Sequence, residues 1–162
     1  MENDQVKVGI ADLNLVLPPG TIMTIGLGSC VGIALYDKKL KIAGLAHIML
    51  PDSKQFKDIS VPMKFADLAI PLLIKAMEKK GSSINAITAK IAGGASMFNF
   101  SDKNIVSDIG KRNIISVKDT LQRIGIPIIA EDTGGNKGRT MILDSNDGKV
   151  TIRIVGQGIV TL

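Results

Sequence analysis

The 162-residue chain has very few of the residues that usually mark disulfide, metal or base-stacking sites: one cysteine, one histidine, one tyrosine and no tryptophan. A single thiol cannot form an internal disulfide, which favours a reducing, cytoplasmic location. Structural zinc sites use about four Cys, His or carboxylate ligands. We therefore expect no metal site of this kind.

The known nucleotide-binding motifs are also missing. No G-x-x-x-x-G-K-[ST] phosphate loop occurs in the sequence. Residues 26–28 (GLG) begin like a dinucleotide fingerprint, but the third glycine is absent and a predicted strand follows where a helix is required. We expect no cofactor. The glycine-rich residues 134–139 either bind an anion or form a flexible turn near the site.

Membrane and nucleic-acid functions are disfavoured as well. No apolar run reaches the ~18 residues of a membrane-spanning helix, and the polar residues 1–5 do not resemble a signal peptide. The net charge is +5, but the basic residues are scattered and aromatic residues make up only 3% of the chain. Base-stacking surfaces are therefore scarce, and we expect neither nucleic-acid binding nor membrane insertion.

Length and hydrophobic content favour one domain spanning residues 1–162, because two separate domains of half this size would each have a marginal core. Alternating and apolar segments predict many strands, and helical spacing predicts two amphipathic helices. Three strands, at residues 21–25, 31–36 and 42–50, follow one another directly before the first helix, which favours an α+β fold over a regular βαβ alternation. The predicted strands are residues 6–17, 21–25, 31–36, 42–50, 87–91, 126–130, 139–143 and 149–155.

The two predicted helices have clear end signals. Residues 63–80 carry apolar side chains on one face, and Gly81 follows as a stop. Pro71 lies inside this segment, so it either kinks the helix or marks a later start. Ser107 or Asp108 could cap the second helix, which runs to Ile124.

The pairing of the predicted strands 31–36 and 42–50 brings the cysteine and the histidine together. A hairpin turn at Lys38 and Lys39 places Cys30 directly opposite His47. Opposed side chains on one face have Cβ atoms ~4.5–5.5 Å apart. An imidazole at that distance can take the thiol proton, as in cysteine hydrolases. Glycines in residues 26–29 could aim backbone N–H groups at an oxyanion and bring Thr24 near the same site.

A purely structural interpretation of these residues is also open. A lone cysteine in an apolar strand is often a small buried hydrophobic residue. A lone histidine in a strand is often a hydrogen-bonded core residue. The glycine-rich segment and the predicted register are what favour catalysis.

Four segments resemble the chemoreceptor glutamine deamidase family CheD, in the order in which that family has them. They are residues 24–31 (TIGLGSCV), 46–53 (AHIMLPDS), 89–98 (AKIAGGASMF) and 130–136 (AEDTGGN). The resemblance extends from about Val6 to Val155. It departs from the family pattern at Asp108, where we expect Asn, and in residues 53–62, which lack the usual glycine.

This resemblance implies a specific activity. Cys30 would attack the side-chain amide of a glutamine on methyl-accepting chemotaxis receptors, His47 would act as acid and base, and Thr24 would orient the imidazole. It also implies a layered α/β/β sandwich of mostly antiparallel strands with two main helices, like that of bacterial glutamine-deamidating toxins. The expected partners are the receptors and the chemotaxis phosphatase CheC, at one surface. The alternative is a non-catalytic binding module for receptors or the phosphatase.

Overall fold

A computed structural model of the chain describes residues 5–97 and 108–162. In this part of the chain ten strands and two α-helices form, with short 3-10 helices between them. The strands are β1 Gln5–Val8, β2 Asp12–Val16, β3 Thr21–Leu27, β4 Val31–Asp37, β5 Ile42–Ile48, β6 Ile87–Gly93, β7 Ile128–Thr133, β8 Arg139–Asp144, β9 Val150–Ile154 and β10 Gly158–Thr161, and the helices are α1 Ala66–Lys79 and α2 Ile109–Ile124.

The strands form two five-stranded sheets that pack face to face. One sheet has the order β1-β3-β8-β9-β10 and the other β2-β5-β4-β6-β7. Two strand pairs, β1–β3 and β6–β7, are parallel, and the other pairs are antiparallel. Both helices pack on the outer face of the second sheet. The predicted α+β fold with three layers is therefore confirmed.

The central strand β4 shows why the sequence folds this way. Ile33 and Leu35 point toward the helices, whereas Ala34 and Tyr36 point toward the other sheet. Since β4 and β5 are covered on both faces, every residue in them is buried. A strand covered on both faces is expected to be apolar throughout rather than alternating, as β4 and β5 are apart from Asp37 and His47.

The helices differ slightly from the prediction. Helix α1 begins at Ala66 rather than Met63, after a 3-10 turn at Pro62–Lys64, and continues through Pro71. Pro71 therefore lies inside the helix and does not mark its start, so that alternative was wrong. Helix α2 begins after Asp108, which makes no side-chain capping bond, and ends at Gly125 with a left-handed φ of 93°. The alternative cap, Ser107, lies outside the described residues.

Several strand predictions were wrong in their bounds, including that for residues 126–130, where β7 spans Ile128–Thr133. The predicted entry strand 6–17 is two strands in different sheets, because the chain turns at Ala11, where φ is 58°. Strand β3 does not stop at Ile25 but continues to Leu27 through a bulge with Gly26 at a φ of 82°. A bulge with glycine at positive φ adds one residue to a strand without ending the ladder.

The predicted register between β4 and β5 was wrong by two residues. His47 pairs with Gly32, not with Cys30. The turn contains four residues between the paired Asp37 and Ile42, and the Asp37 carboxylate accepts hydrogen bonds from two N–H groups in it, those of Lys39 and Leu40. Because side chains alternate with a period of two, this error leaves Cys30 and His47 on the same face.

The C-terminal strands agree better with the prediction. Strands β8 and β9 form the predicted antiparallel hairpin around the turn at residues 146–148. Strand β10 was missed, although it pairs with β9 along its whole length.

The single domain over residues 1–162 stays a prediction. In the described residues, no helix has the length and apolar character needed to cross a membrane.

Candidate active site

Thr24 and His47 meet in the layer between the two sheets, and Cys30 lies two residues before Gly32, which pairs with His47. Thr24 comes from β3 in the first sheet, whereas His47 lies on β5 and Cys30 directly precedes β4 in the second. Thr24 and His47 are buried, with 1% and 0% exposure, and Cys30 is half-buried. The site therefore combines an enclosed base with a half-buried cysteine.

The Thr24 hydroxyl makes two hydrogen bonds. Its oxygen lies 2.6 Å from Nδ1 of His47 and 2.7 Å from the main-chain oxygen of Val8 on β1. A hydroxyl has one proton to donate, and a carbonyl oxygen can only accept. The Thr24 proton is therefore donated to Val8, and the Thr24 oxygen accepts the N–H of the imidazole.

This arrangement determines the tautomer of His47. With the ring proton on Nδ1, Nε2 of the neutral imidazole carries a lone pair and is the basic atom. Nε2 is buried and has no hydrogen-bond partner among the described residues. The histidine is thus held ready to accept a proton at Nε2.

Burial keeps both ionisable groups neutral. It lowers the pKa of His47 from its usual 6.5 to about 4. Burial also raises the pKa of the Cys30 thiol, partly offset by the residue's own backbone N–H. The resting pair is therefore a neutral thiol and a neutral imidazole, so the thiol needs a base when it reacts.

Gly32 lies on the face that carries the thiol and the imidazole, at a point where neighbouring side chains leave no room for a Cβ atom. It is directly opposite His47, and Cys30 is the next residue on the same face, so the two side chains are diagonal neighbours. A Cβ atom at Gly32 would lie 2.7 Å from the Met141 sulfur and 3.1 Å from a Leu27 methyl group. Those two side chains already fill the space that a larger residue would need.

The backbone of Cys30 is held by the end of β6. The N–H of Gly94 donates to the Cys30 carbonyl over 2.8 Å. Gly93, at a φ of 111°, lets the two chains come this close, because a Cβ atom there would lie 2.2 Å from the Cys30 oxygen. By contrast, the N–H groups of Ser29 and Cys30 donate to no other residue in the described ranges. They are the available donors for an oxyanion.

Arg139 braces the loop after β7. Its Nε donates to the Asp132 carboxylate over 2.9 Å, and its side chain is 6% exposed. The N–H of Gly134 also donates to Gly93 over 2.9 Å, which fixes this loop beside the β6 end. Asp132 neutralises the Arg139 guanidinium, which is the main cation that residues 134–139 could offer to an anion. Anion binding by these residues is therefore disfavoured.

The sequence made candidates of the three side chains but gave no indication of the Val8 carbonyl. A carbonyl occurs at every position, so no residue type distinguishes it. The parallel pairing of β1 with β3, which aligns Val8 with Thr24, was hidden when residues 6–17 were predicted as one strand.

Comparisons with known proteins agree with the earlier resemblance. Residues 49–154 match the family model CheD, described as CheD chemotactic sensory transduction. That range begins after the three candidate site residues, but relatives named "Probable chemoreceptor glutamine deamidase CheD" align over nearly the whole chain.

Three of these relatives come from Clostridium species. The protein of C. botulinum strain Alaska E43 is 72% identical over 162 residues, which cover 100% of both chains. The protein of C. novyi strain NT is 65% identical over 98% of both chains, and that of C. acetobutylicum is 61% identical over 96% of this chain and 93% of its own. With identity this high over nearly its full length, the chain belongs to the CheD family.

Proposed function

We propose that this protein hydrolyses the side-chain amide of specific glutamines on methyl-accepting chemotaxis receptors, giving glutamate and ammonia. The observation that carries the proposal is the pair of hydrogen bonds at Thr24, which leaves Nε2 of His47 basic on the face that carries Cys30. The name of its relatives, chemoreceptor glutamine deamidase, supplies the substrate.

The first half of the reaction forms a thioester. Nε2 of His47 takes the thiol proton, and the Cys30 sulfur attacks the amide carbon of the glutamine side chain. The N–H groups of Ser29 and Cys30 stabilise the oxyanion that forms. When the carbon–nitrogen bond breaks, His47 returns its proton to the nitrogen, which leaves as ammonia.

The second half releases glutamate. Water takes the place of ammonia, and Nε2 of His47 removes a proton from it as it attacks the thioester. The carbon–sulfur bond breaks and the proton returns to the thiolate, so Cys30 and His47 recover their initial states. The same neutral imidazole serves both halves because Thr24 holds one tautomer throughout.

Exposed apolar side chains near the segments that carry the site residues fit a protein substrate. Ile25, in the β3 bulge next to Thr24, is 59% exposed, and Met97, which packs against Gly28, is 50% exposed. Ile10 is 58% exposed and precedes Ala11, whose N–H donates to the His47 carbonyl. Apolar side chains of this size are more useful for docking a protein surface than for binding a free amino acid.

The phosphatase CheC is the second proposed partner, and we place it on the same apolar surface around Cys30. Binding there would compete with the receptor and so control deamidation. Both partners act in the cytoplasm, where the lone thiol stays reduced. A purely regulatory binding module is disfavoured, because docking alone has no use for a buried, tautomer-fixed histidine.

Replacement of the nucleophile tests the function directly. We expect Cys30→Ala to lose all deamidation of receptor cytoplasmic fragments, measured by mass spectrometry as replacement of the amide NH2 by OH. Thermal unfolding should show an intact fold, because Cys30 is only half-buried. Deamidation by the alanine variant at the wild-type rate would refute the enzyme proposal.

Substitutions at Thr24 test whether its hydroxyl takes part in the reaction or whether the residue only fits the strand as a β-branched side chain. Thr24→Val keeps the shape but loses a hydrogen bond worth about 0.5–1.5 kcal/mol, and the freed imidazole is misoriented as well. We therefore expect the single-turnover rate to fall about tenfold or more. Thr24→Ser retains the hydroxyl and most of the rate. If Val were as active as Ser, Thr24 would have no role in the reaction.

The lowered pKa of His47 predicts a pH-dependent stability. Its pKa is about 4 in the folded state and 6.5 ordinarily, so between these values the unfolded chain binds more protons. The contribution of His47 to the free energy of unfolding is therefore complete above about pH 6.5, and it is lost as the pH drops toward 4.

His47→Gln is the matched control variant for this effect. Its free energy of unfolding, measured with urea, should lack the part of the pH dependence that comes from the imidazole. NMR titration of the one histidine gives the midpoint directly. A midpoint near 6.5, or an identical pH slope in both proteins, would show that the imidazole is not held neutral.

If CheC and the receptor bind the same surface, bound CheC should protect the Cys30 thiol from alkylation. We expect saturation with CheC to slow alkylation of Cys30 by iodoacetamide, because the bound phosphatase covers the apolar surface around it. An unrelated protein at equal concentration is the control. Unchanged labelling in the saturated complex would place CheC elsewhere on the molecule.

A further inference from the structure

Asn113 on helix α2 connects the segments that carry the thiol and the imidazole. Its side-chain nitrogen donates to the carbonyl of Ser29 over 2.9 Å and to the carbonyl of Met49 over 3.1 Å. Ser29 precedes Cys30, and Met49 is two residues beyond His47. Both contacted atoms are acceptors, so the chemistry fixes which end of the amide faces them.

These contacts lie where the strand ladder ends. The last β4–β5 pair is Val31 with Ile48. Beyond it the strands bond elsewhere: the N–H of Met49 donates to Lys64, and the Cys30 carbonyl accepts from Gly94. Asn113 supplies the link between the two chains at the position where the next rung would lie.

We infer that Asn113 is a positioning residue, which holds the Cys30 segment at its working distance from the strand of His47. The inference rests on the proposed function for the reaction that this distance serves. Asn113 is 0% exposed, so it acts through the backbone on either side and does not touch the substrate.

An asparagine suits this role in two ways. Its planar NH2 group has two hydrogens and so can bridge two carbonyls, whereas aspartate would present a third acceptor. The side chain is short, and α2 comes close enough for it to reach because Gly110 packs directly on residues 94–95. A Cβ atom at Gly110 would lie 2.4 Å from the Ala95 carbonyl oxygen.

The test compares Asn113→Ala with Val117→Ala, one helical turn further along α2. Val117 is equally buried but packs in the core between the helices and the sheet. Misplacement of reacting groups by about 1 Å can cost about a hundredfold in rate. We therefore expect Asn113→Ala to lower kcat about 10–100-fold with little change in KM, and Val117→Ala to keep kcat at temperatures where it is folded.

Two further measurements need no receptor. The alkylation rate of Cys30 by iodoacetamide should fall toward that of His47→Gln in Asn113→Ala but not in Val117→Ala. The NMR signal of the His47 Nδ1 proton should persist in both, because Thr24 still holds it. An inactive wild-type protein would refute the proposed function, and the alkylation rates would still decide the role of Asn113.

Asn113→Ser keeps one donor and should give intermediate kcat and alkylation values, which would support the inference. Equal kcat and alkylation in Asn113→Ala and Val117→Ala would overturn it. So would failure of both Asn113 variants to fold while Val117→Ala folds, because the residue would then be needed for the fold itself.

Discussion

The Thr24 hydroxyl has one proton and two hydrogen-bonding neighbours, one of which needs it as a donor and the other as an acceptor. The Val8 carbonyl can only accept that proton, so the hydroxyl is left as an acceptor for the imidazole. Without a charged partner, this fixes the tautomer of His47. A carboxylate in that place would also raise the basicity of the ring and draw a proton onto it, whereas a threonine orients it and leaves it neutral.

The site depends on two sheets being packed correctly against each other. Thr24 belongs to one sheet and His47 to the other, so their hydrogen bond crosses the interior layer. A buried polar group without a partner is costly, and the contact therefore favours one relative placement of the sheets. Gly32 leaves the room that this placement needs, since a Cβ atom there would meet Met141 and Leu27 of the other sheet.

Much of this could be predicted from the sequence, and the failures have physical causes. The apolar runs of β4 and β5, the β8–β9 hairpin and the helical faces were visible because periodicity and turn residues mark them. The register of Cys30 against His47 was wrong because the Asp37 carboxylate caps a longer turn than Lys38 and Lys39 alone would make. Alternation of side chains nevertheless kept the two residues on one face.

Other features could not be seen in the sequence because they depend on tertiary contacts. The division of residues 6–17 between two sheets requires Ala11 at positive φ, which residue type alone does not predict. The bridging role of Asn113 is similar. An asparagine inside a helix looks unremarkable until the helix is placed against the strand ends.

Strand β1 helps to determine which nitrogen of the His47 imidazole carries the proton. In the described sheet it is an edge strand, held by its parallel pairing with β3, and its last residue supplies the carbonyl that takes the Thr24 proton. Were β1 to detach, the hydroxyl could donate to Nδ1, and the ring proton would then favour Nε2. The same three side chains would remain in place with Nε2 already protonated, so in the proposed mechanism the attachment of this edge strand decides whether His47 can accept the thiol proton.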